Sequence, residues 1–226
     1  MSPRDASVAT ARRRVWPAAA FAPTLPKQCW GFMVGSALFA LGSAPGFGQL
    51  AGADVVNLCY FIGAWFFTGA GFIQLVRSGP PAELEASLPG SATRAEWLSA
   101  ATQSVGTILF NISTTSALFA QTVAGERHLV WSPDAGGSIA FLISGAVAFV
   151  AYSRSSGSGL DIRDRDWWSV LVNWVGCVAF GVSAVGAFVT EDGVTADAVA
   201  ATAGTFVGAL CFFVASAVVL PGARHR

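Results

Sequence analysis

Charged residues cut this chain into long apolar runs. Six stretches contain no Asp, Glu, Lys or Arg: 28–53, 55–76, 97–125, 135–153, 167–190 and 198–223. A helix needs roughly 20 mostly apolar residues to cross about 30 Å of hydrocarbon. Every run is close to that length or longer. The runs are continuous, which predicts helices; a barrel strand would alternate over about ten residues. The run 135–153 is the shortest and opens on Ala135, Gly136 and Gly137. The pattern predicts an all-α integral membrane protein with six transmembrane helices.

The same runs contain an internal repeat. The first carries Gly35-Ser36-Ala37-Leu38-Phe39-Ala40-Leu41-Gly42-Ser43, the third Gly106-Thr107-Ile108-Leu109-Phe110-Asn111-Ile112-Ser113-Thr114, and the fifth Gly176-Cys177-Val178-Ala179-Phe180-Gly181-Val182-Ser183-Ala184. The even runs repeat the pattern at Gly63 and Phe67, Gly137 and Phe141, and Gly208 and Phe212. The period is near 71 residues, so the chain reads as three diverged copies of one two-helix hairpin. At about 100° per residue, positions 0, +4, +7 and +8 share one helix face. Each helix therefore presents a stripe of small, Phe, small, small. Lipid gives helices no hydrophobic reason to associate, so close packing through small residues must supply it. The glycines and phenylalanines are expected to pack helix against helix, a ligand groove being the other reading of the stripe.

The motif resembles the YrhK-like family of small bacterial membrane proteins, which is built on a two-span hairpin with G-S-x-x-F-x-x-G-S-type segments. The best match is Val34 to Ser43, and the resemblance covers roughly residues 30–220 as three degenerate units. It implies a fold and a bacterial cytoplasmic membrane. It implies no activity, no cofactor and no catalytic residue.

Charge sets the expected orientation. Of thirteen Lys and Arg, twelve fall in the N-terminal tail, the 77–96 and 154–166 loops and the C-terminal end, and only Arg127 falls on the other side. Positive loops stay in the cytoplasm, so both termini are expected inside. The predicted organisation is a cytoplasmic tail (1–27), hairpin 1 (28–76), a cytoplasmic loop (77–96), hairpin 2 (97–153), a second loop (154–166), hairpin 3 (167–223) and a C-terminal end (224–226). Trp30, Trp97, Trp167 and Trp168 start the odd spans, where interfacial rings belong.

Composition narrows the chemistry. Charged residues are 12% of the chain against about a quarter in soluble domains. Net charge is zero, so nothing points to nucleic acid. Cys29, Cys59, Cys177 and Cys211 show no C-x-x-C spacing and read as small thiols on helix faces. No acidic or basic residue lies well inside a predicted span, and His128 and His225 lie outside them. Hydrolytic triads need a base beside the nucleophile, so the chain is not expected to be an enzyme. No cofactor or metal site is predicted.

Uncharged polar residues do enter the spans. Asn57, Gln74, Gln103, Asn111 and Asn173 suit bonds between helices. Alternatively, Gln103, Asn111 and Thr114 form a polar pocket centred on Asn111. Asp54, Asp134 and Asp197 precede the even spans, where they would cap helices or form an outer ring of carboxylates. Asp161 to Asp166 reads as a solvated loop or a docking segment, lacking the glycine and distal Glu of a calcium loop. The expected function is a non-enzymatic scaffold or accessory subunit, with the lipid bilayer and a homo-oligomer or another membrane protein as partners. The alternative is a transporter or channel for a small neutral or hydrophobic solute.

Overall fold

The structure, a computed structural model, describes residues 22–79, 92–155 and 163–221. The predicted tail through residue 21, most of the 77–96 loop, residues 156–162 and the 224–226 end lie outside them. Six long helices account for most of the described chain: α1 (Leu25–Gly42), α2 (Ala53–Arg77), α3 (Ala92–Ala117), α4 (Ser132–Ser155), α5 (Arg165–Gly186) and α6 (Ala198–Val219). Among the described residues the only β pairing is a single antiparallel bridge, Val189 to Thr195.

Local chemistry sets the helix ends. Pro26 sits in the first turn of α1, where its missing N–H costs nothing. The helix stops well short of the predicted residue 53. Pro45 disfavours helical backbone at Ala44, and Ser43 turns its backbone N–H and Oγ onto the Phe39 carbonyl, at 3.0 and 2.6 Å. Gly46 and Gly52, both at φ 83°, then bracket a short helix, Phe47–Ala51. The predicted fourth span needs the opposite correction. Helical backbone begins at Val123, passes through a π-helical stretch, Glu126–Trp131, and continues as α4. Charges do not break a helix, and Thr122 caps this one by accepting from the Gly125 N–H at 3.1 Å. Glu126, Arg127, His128 and Asp134 therefore lie in helix instead of loop.

The six helices close into a ring. Each packs on its chain neighbours, and α1 also packs on α6. Three pairs, α1–α2, α3–α4 and α5–α6, are joined by short connections at what we call the hairpin end. The other end, carrying residues 22–24, 78–79 and 163–164, is the tail end.

Within each pair the glycines and phenylalanines seat reciprocally. A Cβ added to Gly106 would stand 2.6 Å from the Phe141 ring and 3.0 Å from the Gly137 carbonyl oxygen, and one added to Gly137 would stand 3.0 Å from the Phe110 ring. Gly35 meets Phe67 and Gly63 meets Phe39 in the first pair; Gly176 meets Phe212 and Gly208 meets Phe180 in the third. No other residue type permits that approach. The six rings converge inside the ring of helices as one buried cluster. Phe39, Phe110 and Phe180 lie 5.8–6.2 Å apart by centroid. Phe212 lies 6.0 Å from Phe67, 5.5 Å from Phe141 and 5.2 Å from Phe180.

Polarity runs opposite to that of a water-soluble bundle. On α3, Ser99, Gln103, Thr107, Asn111, Ser113 and Thr114 are buried, while Leu98, Val105, Ile108 and Ile112 are exposed. Trp65, Phe66 and Phe72 are exposed on α2, and Val175, Val178 and Val182 on α5. Contiguous exposed apolar surface of this kind marks a membrane or partner face. Four helical segments are long and apolar enough to cross a membrane: α2; the run Val123–Arg154, which takes in α4 up to Arg154; α5; and α6. α1 and α3 are not, by composition. Lys27 and Gln28 weight the first, and Arg94, Glu96 and the inward polar face weight the third.

Candidate functional site

Two chambers lie inside the helix ring, one on each side of the six phenylalanines. All six helices contribute to each. The rings that stand between them contact one another at centroid distances of 5.0–6.2 Å.

The tail-end chamber is lined by carboxamides and hydroxyls. Gln28, Gln74, Gln103 and Asn173 reach it, with Ser99 and Ser169 beside them, around about 160 Å³. It continues into a hollow of about 450 Å³ that adds Arg77, Glu96, Tyr152 and Asp166. Some of its polar atoms are satisfied by protein. Arg77 donates to the Gln28 Oε1 at 2.6 Å, and Ser144 donates to the Gln103 Oε1 at 3.3 Å. The Gln74 Oε1 is buried with no partner.

The hairpin-end chamber holds about 420 Å³. Its walls mix aromatic rings (Phe39, Tyr60, Phe110, Trp131) with hydroxyls and amides (Asn57, Ser113, Thr114, Ser183, Thr202, Thr205). Two carboxylates reach it, Glu126 and Asp134. Trp131 is held by donating its indole N–H to the Ala184 carbonyl at 2.8 Å and by an edge contact with Phe188 at 4.9 Å. The Asp134 carboxylate has no hydrogen-bond or ion-pair partner among the described residues. Arg127, the nearest cation in sequence, instead stands over the Phe188 ring at 5.3 Å.

The polar pocket expected from Gln103, Asn111 and Thr114 is not one cavity here. Gln103 lines the tail-end chamber and Thr114 the hairpin-end chamber. Asn111 sits at the level of the phenylalanines between them. Its Nδ2 donates to the Ala64 and Thr107 carbonyls at 3.3 and 3.2 Å and to the Thr68 hydroxyl, fastening α3 to α2. Thr114 donates to the Phe110 carbonyl at 2.8 Å. The physical reason is spacing: eleven residues separate Gln103 from Thr114, about 16 Å along a helix, and a full aromatic layer fits in that length.

The three aspartates that precede the even runs in the sequence take three different positions. Asp197 caps α6, accepting from the Val199 and Ala200 N–H groups at 3.0 and 2.9 Å. Asp54 is exposed in the first turn of α2, behind a Gly52 cap. Asp134 neither caps nor joins a ring of carboxylates, because the helix begins eleven residues before it. Arg165 and Asp166 of the predicted 154–166 loop begin α5, and Asp164 caps it. That carboxylate accepts from the Tyr152 hydroxyl and from the Asp166 N–H at 2.9 Å, and these bonds hold it below the usual carboxylate range.

Sequence reasoning gave Asp134 a cap or ring role and missed its place in the chamber wall. A signal was present. Tyr60, Asp134 and Thr205 stand three residues before Gly63, Gly137 and Gly208, and Asn57, Trp131 and Thr202 stand six before. Extending the repeat register backwards gathers six of the chamber's residues without any structure.

These features define an all-helical protein with four membrane-span-capable helices and two internal chambers. No protein-family model, curated protein or solved structure matches the chain.

Proposed function

We propose that all six helices cross the membrane as three diverged hairpins, with the tail end in the cytoplasm, and that the protein binds and passes a small polar solute along its centre. The observation that carries this reading is the pair of polar chambers, back to back, separated by one layer of aromatic rings. A plain scaffold has no use for polar chambers at the centre of its packing. α3, at 26 residues and about 39 Å, is long enough for the hydrocarbon, and α1, at 18 residues and about 27 Å, is at the short end of the roughly 17–25 residues of spanning helices. The inward polar face of α3 lowers its average hydropathy without putting polar groups in lipid. Lys27, Arg77, Arg94, Arg154 and Arg163 flank the tail end, which favours that end as the cytoplasmic one. Parallel repeats around an axis along the membrane normal are a known transporter plan. The YrhK-like resemblance is compatible with this hairpin plan and adds no activity to it.

The test is solute flux in proteoliposomes, comparing the unaltered chain, Phe180→Ala and empty liposomes. The reading predicts faster entry of small polar solutes than into empty liposomes, faster still through Phe180→Ala. Identical rates in all three return the protein to the scaffold class. Reporters fused after residues 120 and 158 test the span count; the same side for both overturns six spans.

A further inference from the structure

The hairpin-end chamber is lined by a carboxyl group that has no hydrogen-bond or ion-pair partner among the described residues, that of Asp134. Asp134 lies about 16 Å along the helix from Val123, with roughly 30 Å of helix beyond it. A carboxyl group walled in by aromatic and apolar side chains is costly unless it meets a partner or a polar cavity. Here it faces a cavity and has no protein partner. Glu126 lies about two turns nearer the hairpin end in the same wall. That end of the chamber is therefore acidic, with no described cation neutralising Asp134.

The surrounding chemistry narrows the ligand. Three hairpins bring Tyr60, Asp134 and Thr205 to the chamber from matched places, and only one of them is charged. One carboxylate at the centre suits one positive charge. Tyr60, Trp131, Phe39 and Phe110 add four aromatic rings, which attract cations through their π faces. Among the described residues no group of three His, Cys, Asp or Glu could hold a metal ion. About 420 Å³ is too roomy to strip and hold a bare ion, and it falls within the range of small organic ligand sites.

We propose that the hairpin-end chamber binds a small organic monocation, an ammonium compound, with Asp134 as its counter-charge and the rings of Tyr60 and Trp131 among its walls. This deepens the solute-pathway reading and takes from it the chamber's role in holding solute. Equilibrium binding, however, needs no passage through the phenylalanine layer.

The experiment is calorimetric titration of the full chain in detergent micelles with choline and with its uncharged isostere, 3,3-dimethyl-1-butanol. Choline is expected to bind saturably, with the isostere at least about tenfold weaker. Asp134→Asn is expected to weaken choline by about tenfold or more, the usual scale for losing one charged contact. Asp134→Glu, which keeps the charge, should bind within a few-fold of the parent. Equal binding of choline and the isostere overturns the proposal. So does undetectable choline binding, or full binding by an Asp134→Asn protein that elutes and melts like the parent. If that variant does not fold, the choline and isostere comparison on the unaltered chain decides. Choline that binds but crosses liposomes no faster than through empty ones removes the pathway reading and keeps the site. Flux of other solutes without choline binding does the reverse.

Discussion

The two chambers are built alike and filled differently. Each is enclosed by all six helices, and each begins next to the phenylalanine layer. On the tail side, Phe32, Gln103 and Asn173 stand three residues before Gly35, Gly106 and Gly176. On the hairpin side, Tyr60, Asp134 and Thr205 stand three before the other glycines. The glycines and phenylalanines are the same in all six helices, whereas the chamber positions differ in every copy. The physical difference explains this. A glycine whose added Cβ would meet a ring at 2.6–3.0 Å has no alternative. A side chain facing a cavity can change shape and charge without moving a helix. One chamber has become a carboxamide site and the other an acidic, aromatic one.

The sharpest way to break this comparison is to disturb the shared part. Gly106→Leu forces a branched side chain into Phe141 and the Gly137 backbone. Its cost should exceed the roughly 1–3 kcal/mol of ordinary overpacking, seen as loss of monodisperse protein on size-exclusion chromatography. Gly69→Leu is the matched control, since an added Cβ there meets nothing within 4 Å. It should express and elute like the parent. Phe180→Ala comes next. Phe180 contacts the rings of Phe39, Phe110, Phe141 and Phe212, so truncation should cost about 3 kcal/mol by thermal melting and join the two chambers.

Smaller effects separate structural polar groups from chamber groups. Asn111→Leu removes the amide that ties α3 to α2, and should cost about 0.6–2 kcal/mol in a melt while leaving choline binding at the hairpin end unchanged. A tenfold binding loss there would make Asn111 a ligand residue after all. The smallest effect is at Asp164. Its pKa is depressed, first by the Tyr152 hydroxyl and then by the Asp166 N–H. A depressed carboxylate adds stability above its unfolded pKa and loses it as pH falls through the folded one. The melting difference between the parent and Asp164→Asn, measured at neutral pH, should therefore shrink below the ordinary Asp range near 4.

Much of the fold was legible in the residues. Helical backbone, six long segments and their reciprocal small and aromatic stripes follow from charge-free runs and a 3.6-residue face. The segment ends were less legible. Counting charges extended the first run to residue 53, although Pro45 and the Ser43 side chain end it at Gly42. The same counting started the fourth run at residue 135, although the backbone is helical from Val123. Charge marks where a segment leaves lipid, whereas backbone hydrogen bonding marks where a helix ends, and the two need not coincide. That mismatch concealed Asp134, which looked like a loop residue and is a helix residue facing a cavity.

By itself, then, the sequence determined the helices, their stripes and the identical spacing of glycine and phenylalanine, because those follow from local periodicity and residue volume. Only the tertiary structure decided that the six stripes close into a ring, that their rings form one layer, and that polar residues far apart along the chain divide into two chambers. Closure depends on how every helix packs on two neighbours at once, and no local pattern carries that information.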